Sequence, residues 1–173
     1  MKKIINLIAL SILFISFASC NKSEDISGWR DANIDAYNKI TKNTQYKALT
    51  TSSGPSGVYY KIIKSGEGTE NPFQTSTVKI CYKGTYYDGV VFDAGTGESE
   101  TPMEFTCNKF VRGFSFALQN MVVGDKWEVW IPYYLGYGTE GYTISSYYSY
   151  QTIIKGYTTL VFEVELVSIN QYP

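Results

Sequence analysis

The stretch Val78–Asp93, VKICYKGTYYDGVVFD, constrains the fold most. Side chains of a β-strand point alternately to opposite faces, so Val78, Ile80 and Tyr82 share one side and Lys79, Cys81 and Lys83 the other. A slip of one residue would bury the lysines, which fixes the register. Asp88-Gly89 is a strong hairpin signal, because both residues tolerate the positive φ that tight β-turns need. A second strand then ends in Phe92-Asp93. The large aromatics Tyr82 and Phe92 flank Gly84. The inward face is apolar with a single phenol. That is the wall of a pocket working by shape and dryness rather than of a polar catalytic cleft.

The chain has 173 residues, enough for one domain of ordinary size and a tail. Its 15 basic and 16 acidic side chains nearly balance, which argues against a nucleic-acid partner needing a clustered basic face. Histidine is absent, removing the commonest general base and zinc ligand. There are 16 tyrosines, each with a large apolar face and a polar tip suited to binding surfaces.

Lys2 and Lys3 precede an apolar run from Ile4 to Phe17, then Ala18-Ser19-Cys20. Basic start, short apolar core and small residues before a cut make a secretory signal over residues 1–19, the run being short for a membrane span. The alternative is an uncleaved anchor helix. Phe17–Cys20 resembles a bacterial lipobox, with phenylalanine where leucine is usual. The resemblance implies lipidation of Cys20, membrane anchoring of the mature chain, and export to a Gram-negative-type envelope on its periplasmic or outer face. Cys81 and Cys107 would then meet an oxidising compartment. If Tyr82 and Phe105 both face inward, Cys81 faces outward and Cys107 inward, on opposite sides of the sheet, and a disulfide is not expected.

Asp25–Asn43 has helical spacing, with Ile26, Trp29, Ile34, Tyr37 and Ile40 on the apolar side. We expect a helix that docks on the domain or on a partner. Thr50–Gly57 is a linker by composition. Strands are expected at Val58–Lys64, Ser76–Lys83, Met103–Cys107, Lys126–Pro132 and Thr158–Ile169, and a short helix at Phe114–Met121. Tyr133–Tyr157, rich in Tyr, Ser and Gly, reads as a long loop. The sum is an α+β fold, a twisted antiparallel sheet of about five strands wrapped around one short helix.

Several motifs carry little. Gly136-Tyr137-Gly138-Thr139-Glu140-Gly141 matches G-x-G-x-x-G, but no helical pattern follows it. A glycine-permitted turn is the better reading. No metal-ligand spacing appears, the serines have no histidine to activate them, and no lysine lies in a clearly apolar setting. Proton-transfer and covalent mechanisms find no parts here, and no cofactor is implied.

From Gly57 to Ile169 the order of elements resembles the FKBP family of peptidyl-prolyl cis/trans isomerases. The resemblance is carried by Val78–Gly84, Asp88–Asp93, Phe110-Val111-Arg112-Gly113-Phe114, Leu118–Met121, Val123-Gly124, Ile131-Pro132, Gly136-Tyr137-Gly138 and Thr159–Leu166, in that order. It implies an FKBP-like domain over 53–173, preceded by a lipidated tether and N-terminal helix over 20–52. It implies a site of Tyr82, Phe92, Asp93, Val111, Phe114, Tyr137 and Phe162, with Met103, Phe110 and Ile154 also touching substrate. Phe114 stands where the family usually has tryptophan, Met103 where an aromatic is common, and Lys155-Gly156 where Pro-Pro is usual. The substrates implied are proline-containing polypeptides of exported proteins. Nothing in the sequence fixes the oligomeric state. The competing reading is an FKBP-fold binding module of weak activity that recognises a peptide or partner protein. A third is chaperone or scaffold work led by the N-terminal helix.

Overall fold

The computed structural model describes residues 26–94, 101–146 and 149–170, with the backbone alone at 145, 146 and 149–153. The signal segment and Cys20 lie outside the described residues. In chain order the elements are α1 (Ile26–Thr41), β1 (Lys47–Thr51), β2 (Gly54–Lys64), β3 (Thr77–Tyr86), β4 (Val91–Asp93), β5 (Met103–Thr106), α2 (Arg112–Leu118), β6 (Lys126–Ile131), β7 (Tyr142–Ser146), β8 (Ser149–Ile154) and β9 (Leu160–Asn170). Single 3-10 turns occupy Cys107–Lys109 and Tyr133–Leu135.

The main sheet is antiparallel, in the order β1-β2-β6-β9-β3-β4, with β5 sharing the outer edge of β3. Among the described residues it has seven strands rather than about five. The excess arises where composition misleads. Thr50–Gly57 is no linker: Thr50 pairs with Pro55 and Thr51 with Gly54 in the β1–β2 hairpin. The Thr51 hydroxyl bonds the Gly54 carbonyl at 2.9 Å and accepts Ser53 N–H at 3.2 Å, so turn-forming residues close the hairpin. Pro55 is tolerated because β6 pairs with β2 only from Tyr59 onward. The sheet therefore begins before residue 53. Similarly, the expected loop 133–157 contains the two-stranded β7–β8 sheet. That hairpin forms a separate sheet and pairs with no strand of the main one among the described residues.

The expected alternation holds where strands face the core. Val78, Ile80 and Tyr82 of β3 are buried between exposed Lys79 and Lys83, and Trp127, Val129 and Ile131 of β6 are likewise buried. Phe114, Ala117 and Leu118 of α2 and the following Met121 pack onto these residues and onto Phe162, Val164 and Leu166 of β9. Each large side chain so buried contributes roughly 1.5–3 kcal/mol. Cys81 and Cys107 are not joined in a disulfide, and Cys107 is fully buried with its thiol pushed up to about 11 by burial. Gly136–Gly141 runs into β7 rather than a helix, and Gly138 and Gly141 hold positive φ of 70° and 76°, the turn expected of them.

Helix α1 docks on the sheet in cis, through a face that includes Trp29 and Tyr37 of the expected apolar side but is centred on a polar residue. Ile26 is 41 % exposed, and the fully buried residue is Asn33. Its Oδ1 accepts Thr159 N–H at 2.8 Å, and its carbonyl accepts the Thr159 hydroxyl at 3.1 Å. One turn earlier Trp29 Nε1 donates to Thr158 Oγ1 at 3.1 Å, and one turn later the Tyr37 hydroxyl donates to Gly57 O at 2.6 Å. Trp29, Asn33 and Tyr37 form a single i, i+4, i+8 stripe.

Candidate functional site: an aromatic cavity beside α2

Between β3, β4, β9 and the N-terminal end of α2 lies a cavity of about 380 Å³. Its walls are Tyr82, Phe92, Asp93, Lys109, Phe110, Val111, Phe114, Tyr137, Tyr142 and Phe162. Gly84 makes it possible. It pairs with Asp93 on one side and Phe162 on the other, and has no side chain on the face where Tyr82 points. A Cβ there would lie 2.7 Å from Phe92 Cζ and 2.9 Å from Phe162 Cε1. The two rings close edge to face over the bare backbone, with centroids 5.7 Å apart.

The floor is a continuous ring cluster. Phe114 lies 4.5 Å from Phe162 and 4.7 Å from Phe110, centroid to centroid, and Tyr82 stands 6.1–6.4 Å from all three. Phe114 is 1 % exposed and Phe162 7 %, so both are held by packing. Polar groups enter at the edge. The Tyr82 hydroxyl donates to Asp93 Oδ2 at 3.0 Å. Burial, then the Asp93 charge, raises the Tyr82 phenol above its ordinary value and keeps it a donor. Burial and the same charge raise the half-buried Tyr137 phenol. Its ring stacks on Tyr142 at 5.3 Å, and its hydroxyl has no hydrogen-bond partner among the described residues. Val111 caps α2 with extended backbone (φ −58°, ψ 150°), and its N–H has no acceptor among the described residues.

Eight of the ten substrate-site positions expected from the resemblance thus meet in one cavity. Two do not line it. Met103 lies on the β5 edge, 41 % exposed and paired with Ile80. Ile154 closes β8 and is buried in the core at 2 % exposure. Sequence reasoning missed Lys109 and Tyr142. Lys109 directly precedes the Phe110–Phe114 run, a signal that was available. Tyr142 was not legible, since its approach depends on β7. A larger cleft of about 540 Å³ opens on the far side of α2, lined by Gln74, Asn108, Arg112 and Gln119 among others. It shares Phe110 with the aromatic cavity but has no comparable set of enclosing rings, and it is the poorer fit to an apolar ring substrate.

An antiparallel sheet over one short helix, with a ring-walled hollow at the helix start, defines a protein with an enclosed apolar binding pocket. Residues 68–167, more than half of the chain, match the family model described as FKBP-type peptidyl-prolyl cis-trans isomerase. The chain belongs to that family. It is 41 % identical over 118 residues to the FKBP-type 22 kDa peptidyl-prolyl cis-trans isomerase of Escherichia coli, covering 68 % of this chain and 52 % of that protein. It is 32 % identical over 171 residues to the macrophage infectivity potentiator of Trypanosoma cruzi, covering 94 % and 83 %. The crystal structure of a peptidyl-prolyl cis-trans isomerase from Pseudomonas syringae superposes with a TM-score of 0.69 at 28 % identity, covering 84 % of this chain and 96 % of that one. The alignment thus reaches only about half the length of the E. coli isomerase.

Proposed function

We propose that the protein catalyses cis/trans isomerisation of X-Pro bonds in exported polypeptides, with the prolyl ring seated among Phe92, Phe114, Val111 and Phe162. The observation that carries this reading is the meeting, around one cavity, of rings drawn from four separate stretches of chain. Rotation about a peptide bond faces a barrier of roughly 18–20 kcal/mol because of its double-bond character. Halfway round, resonance is lost and the carbonyl carries less negative charge. An apolar cavity strips water that the planar ground state uses more than the twisted state does, so it favours the latter in relative terms. No proton moves. The unused Tyr137 hydroxyl and Val111 N–H supply donors for substrate carbonyls, and Asp93, tied to Tyr82, forms the polar edge.

The test is cis-to-trans exchange of an X-Pro peptide by the full mature chain, with Phe92→Leu beside it. A rate well above background that falls about tenfold in the variant corresponds to ~1.4 kcal/mol of selective stabilisation and supports the proposal. Peptide binding without turnover would favour the binding-module reading. Lipid anchoring through Cys20 belongs to the same proposal. The protein should fractionate with membranes and become soluble in Cys20→Ser, and a soluble parent would remove the anchor from it.

A further inference from the structure

Helix α1 lies outside residues 68–167, yet intermediate residues link it to two walls of the aromatic cavity. The first route runs through Trp29. Its indole meets Tyr86 edge to face at 5.4 Å, and Tyr86 meets Phe92, a cavity wall, at 5.2 Å. Trp29 also touches Tyr87 at 5.9 Å, so it grips the end of β3 just before the turn into β4. The second route starts at the next residue. Arg30 lies over the Tyr157 ring, 6.0 Å from guanidinium carbon to centroid. Tyr157 is the only non-glycine residue with positive φ among the described residues, at 60°. Such a conformation persists where its surroundings hold it. Tyr157 N–H donates to Gly138 O at 2.9 Å, beside Tyr137 of the cavity, and its ring packs on Tyr133 at 5.1 Å. Trp29 joins the two routes, since its Nε1 bonds Thr158 and Lys155 Nζ lies 6.0 Å from its ring centroid.

We infer that α1 is a working part of the proline site, with Trp29 and Arg30 as positioning residues for Phe92 and Tyr137. Trp29 is not among the residues that line the cavity. It acts through Tyr86, holding Phe92 in the orientation that closes over Gly84. Phe92 sits on a three-residue strand paired only through Gly84 and Thr85, with a register shift between them. A strand so short and irregular has few bonds of its own to fix a ring, and α1 supplies the missing constraint. A loosened Phe92 is correctly placed for only a fraction of the time, and apparent affinity falls by that fraction. Once substrate is bound the wall is complete, so turnover of the bound complex is unchanged.

The inference rests on the proposed isomerase reading, and the experiment separates the two. In the full mature chain, Trp29→Leu keeps apolar bulk but removes the ring and its N–H. It should raise KM for an X-Pro peptide about fivefold with kcat unchanged, the effect of a competent fraction near one fifth. Trp29→Phe should restore most of the loss. Tyr37→Phe cuts the hydrogen bond at the other end of the same helix and should lower Tm while leaving KM as it was. Equal KM changes in Trp29→Leu and Tyr37→Phe, or none in Trp29→Leu, would overturn the inference. Ring resonances of labelled Phe92 give a readout that needs no catalysis. They should shift in Trp29→Leu and not in Tyr37→Phe, and unmoved resonances in Trp29→Leu would end the idea even in an inactive parent.

Discussion

The Tyr82 hydroxyl, carried on β3, donates to Asp93 Oδ2 at the end of β4 across 3.0 Å. Tyr82 is buried to 9 % exposure while Asp93 is exposed, so the bond ties an exposed carboxylate to a ring held in the core. Tyr82→Phe keeps the packing on Phe105, Phe110, Phe114 and Phe162 and removes the hydroxyl that makes this tie. The expected cost in stability is about 1 kcal/mol, because the released carboxylate is satisfied by water. Isomerisation should fall about three- to tenfold if Asp93 must be held. Chemical denaturation beside the peptide assay checks both, and unchanged turnover would take Asp93 out of the site.

Gly84→Ala tests the opening through which the rings meet. An added methyl would press on Phe92 Cζ at 2.7 Å and Phe162 Cε1 at 2.9 Å. Overpacking of this kind costs about 1–3 kcal/mol. Phe162 is fixed in the core, so the half-buried Phe92 should yield, and binding of an X-Pro peptide should weaken with it. In the double variant Gly84→Ala, Phe92→Leu the two stability losses should be less than additive, because the smaller side chain removes the clash. Strict additivity in a denaturation cycle would show that the rings are not in contact there.

The sequence announced the parts of this molecule that face its core. Alternation in β3, β6 and β9 is the imprint of one buried face, and it located Tyr82 and Phe162, while Phe92 followed from the resemblance. The run Phe110–Phe114 marked the helix start by resemblance. What escaped notice lies in stretches whose composition reads as turn or loop. The β1–β2 hairpin is made of turn-forming residues, and β7–β8 stands off the main sheet. Asn33, the buried anchor of α1, is polar, and a search for apolar spacing passes over it. Its burial became sensible only with Thr159 opposite, a partner 126 residues away. Met103 and Ile154 mark the limit of transferring positions between relatives, because their own strands turn them to an edge and to the core.

Glu128 should govern the acid limb of stability. It sits on the outer face of β6 and accepts from Tyr46 at 2.5 Å and Trp130 Nε1 at 2.7 Å, with Lys61 Nζ 3.1 Å away. Burial alone would raise its carboxyl, but the donors Trp130, Tyr46 and Lys61 outweigh burial and hold it below its ordinary value. A depressed folded-state value contributes stability above the unfolded-state value, about 4.3, and that contribution is lost as pH falls through the folded one. Glu128→Gln should lower stability at neutral pH by about 2 kcal/mol and flatten the decline below pH 4. Denaturation midpoints measured from pH 7 to 3 decide this. A variant as steep in acid as the parent would move the effect to other carboxylates.

The alkaline limb should belong to the buried phenols. Tyr37, Tyr46, Tyr82, Tyr86 and Tyr137 are all raised above their ordinary value, in each case first by burial. Charge adds to this: Asp93 acts on Tyr82 and Tyr137, and Asp88 on Tyr86. In the unfolded chain each would lose its proton near pH 10. Between that value and the higher folded one, the native state binds more protons than the unfolded state. The slope of stability with pH is therefore negative, and stability is fully present below about pH 10 and declines above it. Absorbance at 295 nm should show the exposed members of the 16 tyrosines ionising around pH 10 while the circular dichroism stays native. The remaining phenols should ionise only as the fold is lost, in one cooperative step with the dichroism. Tyr82→Phe removes one group from that step and should make the alkaline decline shallower, and an unaltered slope would show that its proton is not linked to folding.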